Sequence, residues 1–389
     1  MGLAMGGCTA IVFALLMGNK WSDIQDTVKR VVGDSATTLL ILLSVGMMVG
    51  IWIIGGTVPT LLYYGLKICS PNIIVPLAFV LCAITSLFTG TSFGSIATMG
   101  LALFGVGTSM GISAPLMAGA VCSGAFFGDN LSFISDTTIA STTTQGCSMS
   151  DKFKANIWIC GPAAVIVTII YLIIGLNHGA TPEIGQIEYV KLIPYLTVIV
   201  LALCGINVLV VLGIGLVLSA VIGFLDGMTW LGFLGSVGDG IGGMGELIIV
   251  TMLSGGMLEL IRHNGGLDFI IRGLTKGIKG KRGAEFSIAG LVGLSNLCTA
   301  NNTIAILTTG DIARDITGRF GVDPRKSASL LDTFSCIVQG IIPYGAQLLM
   351  ASGFAGIAAT QIIPCLFYPF VLCAVACLSI IFRFPKRYS

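Results

Sequence analysis

The chain has 389 residues, of which 55% are hydrophobic and only 10% are charged, and its mean hydropathy is +0.97. Soluble domains carry about 25% charged residues, so this composition excludes a soluble protein and favours an all-α integral membrane protein. With 20 Lys+Arg against 18 Asp+Glu, the net charge of +2 is too small to indicate a nucleic-acid partner.

Nine apolar segments are candidates for membrane helices, which need about twenty mainly apolar residues. In chain order they are Gly2 to Gly18, Ala36 to Ile54, Ile73 to Phe88, Ala155 to Gly175, Lys191 to Cys204, Val208 to Leu225, Leu247 to Ile261, Ala284 to Leu297 and Cys365 to Phe382. We therefore expect a multi-pass protein of the plasma membrane that is surrounded by the lipid bilayer, and we leave a homodimer open.

Two stretches interrupt this apolar pattern, one between Thr89 and Gln145 and one between Thr299 and Gly353. Both are rich in Gly, Ser, Thr, Asn and Asp. Irregular backbone at membrane depth must be buried in protein or line a polar cavity, because lipid cannot satisfy its N–H and C=O groups. We predict discontinuous helices around a substrate site here, with helix packing by small residues as the alternative.

The two halves of the chain align without a gap when one is shifted by a constant offset of 210 in residue number. Matching residues include Thr89 with Thr299, Ile96 with Ile306, Thr98 with Thr308, Gly100 with Gly310 and Gly111 with Gly321. We predict two membrane repeats, residues 1–188 and 189–389, the second including a linking helix at 191–204. The mate of that helix would precede Met1, so we expect either a missing N-terminal helix or asymmetric halves.

Basic residues predict the orientation of the repeats, because short cytoplasmic loops retain Lys and Arg. The segment around Lys20 is basic, whereas its mate, Leu231 to Gly245, has no basic residue. Residues 52–72 hold one lysine, whereas their mate holds six basic residues, and Lys152 and Lys154 face an uncharged mate. Opposite bias in corresponding loops predicts inverted-topology repeats, a multi-helix transporter fold and a cytoplasmic C-terminus.

Three aspartates stand out, because ionisable groups inside a membrane are costly and mark ion or substrate sites. Asp129 and Asp136 are seven residues apart and would share one face of a helix toward a cavity, whereas a solvated loop or a helix cap is the alternative. Asp332, in an otherwise apolar run, is the best single candidate for a proton- or cation-linked residue, unless a partner such as Arg325 makes it structural.

Small hydroxyl and amide side chains beside the breaks suit an unwound helix that binds a cation or a small solute. The predicted lining residues are Thr89, Thr91, Ser92, Ser135, Thr137, Thr299, Asn301, Asn302, Thr303, Thr333 and Gln339. The twelve cysteines form no CxxC pair and only His178 and His263 are present, so we expect no enzyme, no cofactor and no metal beyond transported sodium.

Several of these motifs resemble the NhaC family of sodium/proton antiporters. They are Gly55-Gly56-Thr57-Val58-Pro59, Tyr63-Tyr64-Gly65, Gly90-Thr91-Ser92-Phe93-Gly94, Gly128-Asp129-Asn130-Leu131-Ser132 and Ser135-Asp136-Thr137-Thr138. The resemblance extends over nearly the whole chain. It implies secondary active transport, namely sodium/proton antiport by alternating access, or ion-coupled carriage of an amino acid or small organic acid.

The second half departs from the family pattern. Family members tend to carry an acidic residue followed by Ser-Gly-Thr and then Pro-Trp-Asn, whereas this chain has Asp332-Thr333-Phe334-Ser335 and Pro343-Tyr344-Gly345-Ala346-Gln347. The departure leaves the transported substrate open: sodium and protons are the leading hypothesis, and an amino or carboxylic acid is the second. A membrane subunit or receptor that transports nothing is the third.

Overall fold

The computed structural model describes residues 2–34, 36–54, 71–133, 135–176, 189–204, 206–266, 269 and 280–388. Every element in these residues is helical, which confirms the all-α prediction. The α-helices are α1 Gly2–Leu16, α2 Trp21–Asp34, α3 Ala36–Ile54, α4 Ile74–Thr89, α5 Ser92–Ser109, α6 Ala114–Leu131, α7 Asp136–Gln145, α8 Met149–Gly175, α9 Ile193–Leu203, α10 Val208–Leu225, α11 Trp230–His263, α12 Gly280–Thr299, α13 Asn302–Phe320, α14 Pro324–Ile341, α15 Ala346–Ala355, α16 Ala359–Ile362 and α17 Phe367–Phe382. The motifs predicted between Gly55 and Gly65 lie outside the described residues.

Two units among the described residues are long and apolar enough to cross a bilayer alone: helix α8, and Pro324–Ala355 taken together. The pair Ala359–Cys365 and Phe367–Phe382 would form a third span with a bend of 53°. Shorter apolar helices include α4 and Leu209–Leu225. The polar breaks in the sequence predict such interrupted helices.

Helix boundaries repeat along the chain at the same constant offset that aligns the two halves of the sequence. Helices α6 and α14 share both boundaries in this register, and so do α7 and α15. Helices α5 and α13 share their start, as do α8 and α16, and α4 and α12 share their end. Local structure therefore follows the same internal repeat as the sequence.

The repeat mates α6 and α14 lie in the interior of the protein. Fifteen of the eighteen residues of α6 and thirteen of the eighteen residues of α14 are buried. Helix α6 packs closely on α4 because Gly124 and Gly128 stand at the contact, where a Cβ on Gly124 would overlap the backbone oxygen of Phe79. The buried helices thus hold their polar side chains at fixed positions inside the protein.

Two of the loop-charge comparisons that support the predicted inversion involve residues that are not in exposed loops. Leu231–Gly245 is not a loop but part of the 34-residue helix α11, which begins at Trp230 and not at the predicted Leu247. Lys152 is 1% exposed, so it is not a loop charge either. A loop-charge comparison requires charges that reach water, and opposite orientation of the halves remains a prediction.

Candidate functional site

A short helix break with the same backbone conformation occurs at corresponding positions of the two halves. Between α4 and α5, Gly90 is left-handed (φ 69°) and Thr91 is extended (φ −150°). Between α12 and α13, Ala300 is left-handed (φ 48°) and Asn301 is extended (φ −144°). The Thr91 and Asn301 side chains each accept a hydrogen bond from a backbone N–H in the following first turn, at 3.3 and 3.0 Å. Both breaks are capped in the same way, which fixes where the second helix of each pair begins.

A cavity of about 360 Å³ lies where the two breaks meet. Fifteen residues of the described part of the chain line it: Ile41, Gly90, Thr91, Ser92, Phe93, Asp129, Asp136, Thr137, Ala300, Asn301, Asn302, Thr303, Gln339, Ala346 and Gln347. Fourteen of these form seven pairs in the register of the internal repeat, and only Ile41 has no mate in the set. Corresponding positions of both halves therefore build the wall, as expected for a site at a repeat interface.

The seven pairs are not chemically equivalent. Asp129 pairs with Gln339 and Asp136 pairs with Ala346, so both carboxylates come from the first half. No lysine or arginine lines the cavity in the described part of the chain. Two carboxylates in a polar cavity without a basic neighbour on its wall attract a cation.

Four helices begin at the cavity wall. The first residues of α5, α7, α13 and α15 are Ser92, Asp136, Asn302 and Ala346, and all four line the cavity. Helix N-termini carry partial positive charge, which stabilises an ionised carboxylate nearby. Helix α15 has no side-chain cap, since its N-cap residue is Gly345. The cavity thus combines two acidic side chains with helix N-termini, whose backbone N–H groups also suit an anionic group.

A chain of hydrogen bonds joins the second half to Asp129. The Gln339 amide nitrogen donates to the Gln347 side-chain oxygen (2.8 Å), and the Gln347 amide nitrogen donates to Ser92 Oγ (3.2 Å). Ser92 Oγ donates in turn to Asp129 Oδ2 (2.7 Å). The Gln339 side-chain oxygen is buried and has no hydrogen-bond partner among the described residues. It is an acceptor without a donor on a wall that already holds two carboxylates.

Asp129 and Asp136 line one cavity. They do not lie on one helix, so the shared helical face that we predicted is wrong. Helix α6 ends at Leu131 and α7 begins at Asp136. Ser135 joins the two ends, because its hydroxyl donates to the Asp129 backbone oxygen (3.0 Å) and caps α7. Asp129 is 5% exposed whereas Asp136 is exposed, so the deeper carboxylate is the better shielded one.

The other predicted residues divide into two groups. Those that line the cavity are Thr91, Ser92, Thr137, Asn301, Asn302, Thr303 and Gln339. Thr89, Ser135, Thr299, Thr333 and Asp332 are not on its wall. Thr89 Oγ lies 3.0 Å from Ser95 Oγ, and Thr299 Oγ donates to the Asn301 backbone oxygen (3.1 Å), so both hydroxyls bind protein beside a break. The Thr333 hydroxyl is buried without a partner among the described residues.

Asp332 forms a buried ion pair, and its partner is Lys152 of α8 and not Arg325. Lys152 Nζ lies 2.8 Å from Asp332 Oδ2, and the two side chains are 1% and 0% exposed. Lys152 Nζ also donates to the Asn130 backbone oxygen (2.7 Å) and to Thr138 Oγ (2.7 Å). Since Asn130 follows Asp129 and Thr138 lies in the first turn of α7, the ion pair supports the backbone that carries both cavity carboxylates.

Two amides complete this buried network. Asn156 Nδ2 donates to Asp332 Oδ2 (2.9 Å) and Asn130 Nδ2 donates to the same oxygen (3.2 Å). The hydroxyl of Tyr368 donates to Asn130 Oδ1 (3.0 Å), while Asp332 Oδ1 has no partner among the described residues. Our sequence reasoning missed Lys152, Asn130 and Asn156 as site residues. Gln347, which we considered only as a hydrogen-bonding residue for an amino-acid substrate, lines the cavity as the repeat mate of Thr137.

A family model described as the Na⁺/H⁺ antiporter family matches residues 1–176 and 181–385. Three similar proteins span most of the chain. A protein of Bacillus subtilis named a malate-2H⁺/Na⁺-lactate antiporter is 27% identical, over 94% of this chain and 86% of its own. The Na⁺/H⁺ antiporter NhaC of Alkalihalophilus pseudofirmus is 27% identical, over 93% and 85% respectively. A protein of Haemophilus influenzae described as an uncharacterized Na⁺/H⁺ antiporter is 30% identical, over 91% and 84%.

Proposed function

This chain belongs to the Na⁺/H⁺ antiporter family, and we propose that it exchanges sodium ions for protons across the membrane by alternating access. The observation that carries the proposal is the cavity at the two helix breaks, with Asp129 and Asp136 on its wall. Carboxylate, hydroxyl and amide oxygens are hard ligands that suit a small hard cation. The unpartnered Gln339 oxygen supplies a further ligand from the second half of the chain.

Exchange follows from competition for the same carboxylates. A carboxylate that holds a proton has lost the charge that binds sodium, so each ion displaces the other from the cavity. By linkage, the apparent sodium affinity weakens by up to about tenfold for each unit of pH lost while one proton competes. Neither ion needs a second site for the two fluxes to be coupled.

Asp332 has a different role in this proposal. Because it is paired with Lys152 away from the cavity wall, it positions Asn130 and the start of α7 and does not bind the transported cation. We propose that the ion pair keeps the Asp129 and Asp136 carboxylates at a fixed separation while cations exchange. Asp332 then affects transport through structure.

Purified protein in proteoliposomes with an internal pH-sensitive dye tests the proposal. A sodium gradient should drive proton movement in the wild type, and Asp129→Asn should abolish it at normal expression. Asp315→Asn is the matched control, because Asp315 is exposed and bound to Arg319 outside the cavity. Folded wild-type protein without sodium-dependent proton movement would refute antiport, and flux that persists in Asp129→Asn would refute the site.

Ion-coupled carriage of a small organic solute is the second candidate. The cavity of about 360 Å³ holds far more than one ion, since a water occupies about 30 Å³. Its four amide side chains and the uncapped start of α15 suit the carboxylate of an amino acid or organic acid, while Asp129 suits an amine or an accompanying sodium ion. Accumulation of labelled amino acid or lactate that collapses without the coupling ion would favour this candidate.

We also propose a plasma-membrane location with a cytoplasmic C-terminus and two repeats, 1–188 and 189–389, of opposite orientation. The matching helix boundaries and the paired cavity residues support the repeats. Labelling of single cysteines introduced near each terminus, in a variant in which the twelve native cysteines are replaced, tests the location of the termini in intact cells and in inverted vesicles. A C-terminal cysteine labelled from outside intact cells would overturn it.

A further inference from the structure

A groove of about 410 Å³ lies on the outer surface, between the start of α8 and the C-terminal segment. The residues that line it are Phe153, Lys154, Ile157, Trp158, Phe384, Pro385, Arg387 and Tyr388. None of them belongs to the cavity or to the buried ion pair. Trp158 and Phe384 meet edge to face at 6.1 Å and form an aromatic floor.

The position of the groove along α8 places it at the edge of the membrane. Helix α8 has 27 residues and is therefore about 40 Å long, whereas the hydrocarbon layer is about 30 Å thick. Lys154 is in the second turn and Trp158 one turn deeper. Below Trp158, the same helix exposes Val165, Ile169 and Ile173, each at least half exposed. The groove therefore opens at its deeper end onto an apolar surface and at its other end onto the headgroup layer.

Two basic side chains stand at the headgroup end. Lys154 and Arg387 are exposed, and neither has an acidic partner within ion-pair distance in the described part of the chain. Arg325 is close by, over the ring of Tyr388 at 4.8 Å, but it is already bound to Asp323 at 2.6 Å. Burial opposes ionisation of Asp323, yet the hydrogen bonds from Arg325 lower the pKa of this carboxyl.

We propose that this groove binds one anionic phospholipid of the surrounding membrane. The headgroup phosphate lies between Lys154 and Arg387, and one acyl chain lies on Ile157 and Trp158 and continues along the apolar face of α8. Charge complementarity selects an anionic lipid, because a zwitterionic headgroup brings no net charge to two cations that lack an acidic partner. The exposed apolar face of α8 next to the groove favours a lipid over a soluble anion, because it can hold an acyl chain.

Quenching of tryptophan fluorescence by lipids with brominated acyl chains tests the proposal on the purified protein in detergent. The chain has four tryptophans, so the signal of Trp158 is the difference between the wild type and Trp158→Phe. Brominated phosphatidylglycerol should quench Trp158 at a concentration on the order of tenfold lower than brominated phosphatidylcholine does. Inorganic phosphate should neither quench Trp158 nor displace the lipid.

Charge substitutions separate this site from general attraction to a basic surface. The double variant Lys154→Gln with Arg387→Gln should lose the preference for phosphatidylglycerol. Lys386→Gln should keep it, because Lys386 is exposed in the same short helix but does not line the groove. Elution as a single peak in gel filtration establishes that each variant is folded. Equal quenching by both lipids, or equal loss of preference in the double variant and in Lys386→Gln, would overturn the proposal.

Discussion

Breaking the Lys152–Asp332 ion pair leaves one charge buried without its partner. Removing one member of a buried pair costs about 3–5 kcal/mol, because the remaining charge can neither reach water nor find a counter-ion. In Asp332→Asn, Lys152 Nζ keeps two of its three contacts, the Asn130 backbone oxygen and Thr138 Oγ. In Lys152→Gln, Asp332 keeps the amide donors of Asn130 and Asn156. We therefore expect each single variant to lose about 3 kcal/mol, near the lower end of that range.

The double variant Lys152→Gln with Asp332→Asn should be more stable than the sum of the single losses predicts. It buries neutral amides and no charge, so the coupling free energy should be about 2 kcal/mol or more. Unfolding by SDS titration in mixed micelles, followed by circular dichroism, measures all four proteins. The exposed pair Asp315–Arg319, at 2.8 Å, is the control and should couple by no more than about 0.5 kcal/mol.

Additive losses in the buried pair, or single variants as stable as the wild type, would refute this reasoning. A stable Asp332→Asn protein that has lost all transport would also contradict the supporting role of Asp332. Asp332 would then be a direct participant in ion binding and not a support for the cavity.

Three further sets of substitutions test the packing, the helix breaks and the cavity wall. Gly124→Ala should destabilise the protein by about 1–3 kcal/mol, because the added Cβ would overlap a backbone oxygen of α4. Gly33 has open space around it, so Gly33→Ala should be neutral or stabilising. Equal midpoints of SDS unfolding for the two variants would contradict this. Residues 90 and 300 both have left-handed backbone conformations, which favour glycine. Ala300→Gly should therefore leave the free energy of unfolding unchanged or raise it by up to about 1 kcal/mol, whereas Gly90→Ala should lower it by about 1 kcal/mol. The same SDS titration measures both variants, and a destabilised Ala300→Gly would contradict the prediction. Gln339→Met should raise KM for sodium in proteoliposomes by roughly five- to tenfold, and an unchanged KM would exclude its oxygen as a ligand.

The sequence pattern was sufficient for the features that repeat. The breaks at Gly90 and Ala300 could be predicted, because a run of small polar residues recurs at one fixed offset within apolar surroundings. The same offset relates fourteen residues of the cavity wall, so local chemistry and chain symmetry pointed to one place. Asp129 and Asp136 line one cavity as predicted, but they lie on two helices and not on one.

Features that depend on long-range contacts could not be predicted in this way. Lys152 lies in the first turn of a helix, where the neighbouring sequence predicts a solvated basic residue. Its partner, Asp332, lies in the other half of the chain. No periodicity joins the two, since the repeat mate of Asp332 is Cys122. The start of α11 was missed because seven glycines between Trp230 and Glu246 lower the helix propensity of its first half, although this half is helical.

Proton release on sodium binding tests the competition at the cavity carboxylates most directly. Sodium chloride is added to purified, weakly buffered protein in detergent, choline chloride serves as the blank, and the pH is recorded. We expect the wild type and Asp315→Asn to release protons in proportion to bound sodium, and the double variant Asp129→Asn with Asp136→Asn to release none. Sodium binding to the wild type without proton release, or undiminished release from the double variant, would contradict exchange at these two residues.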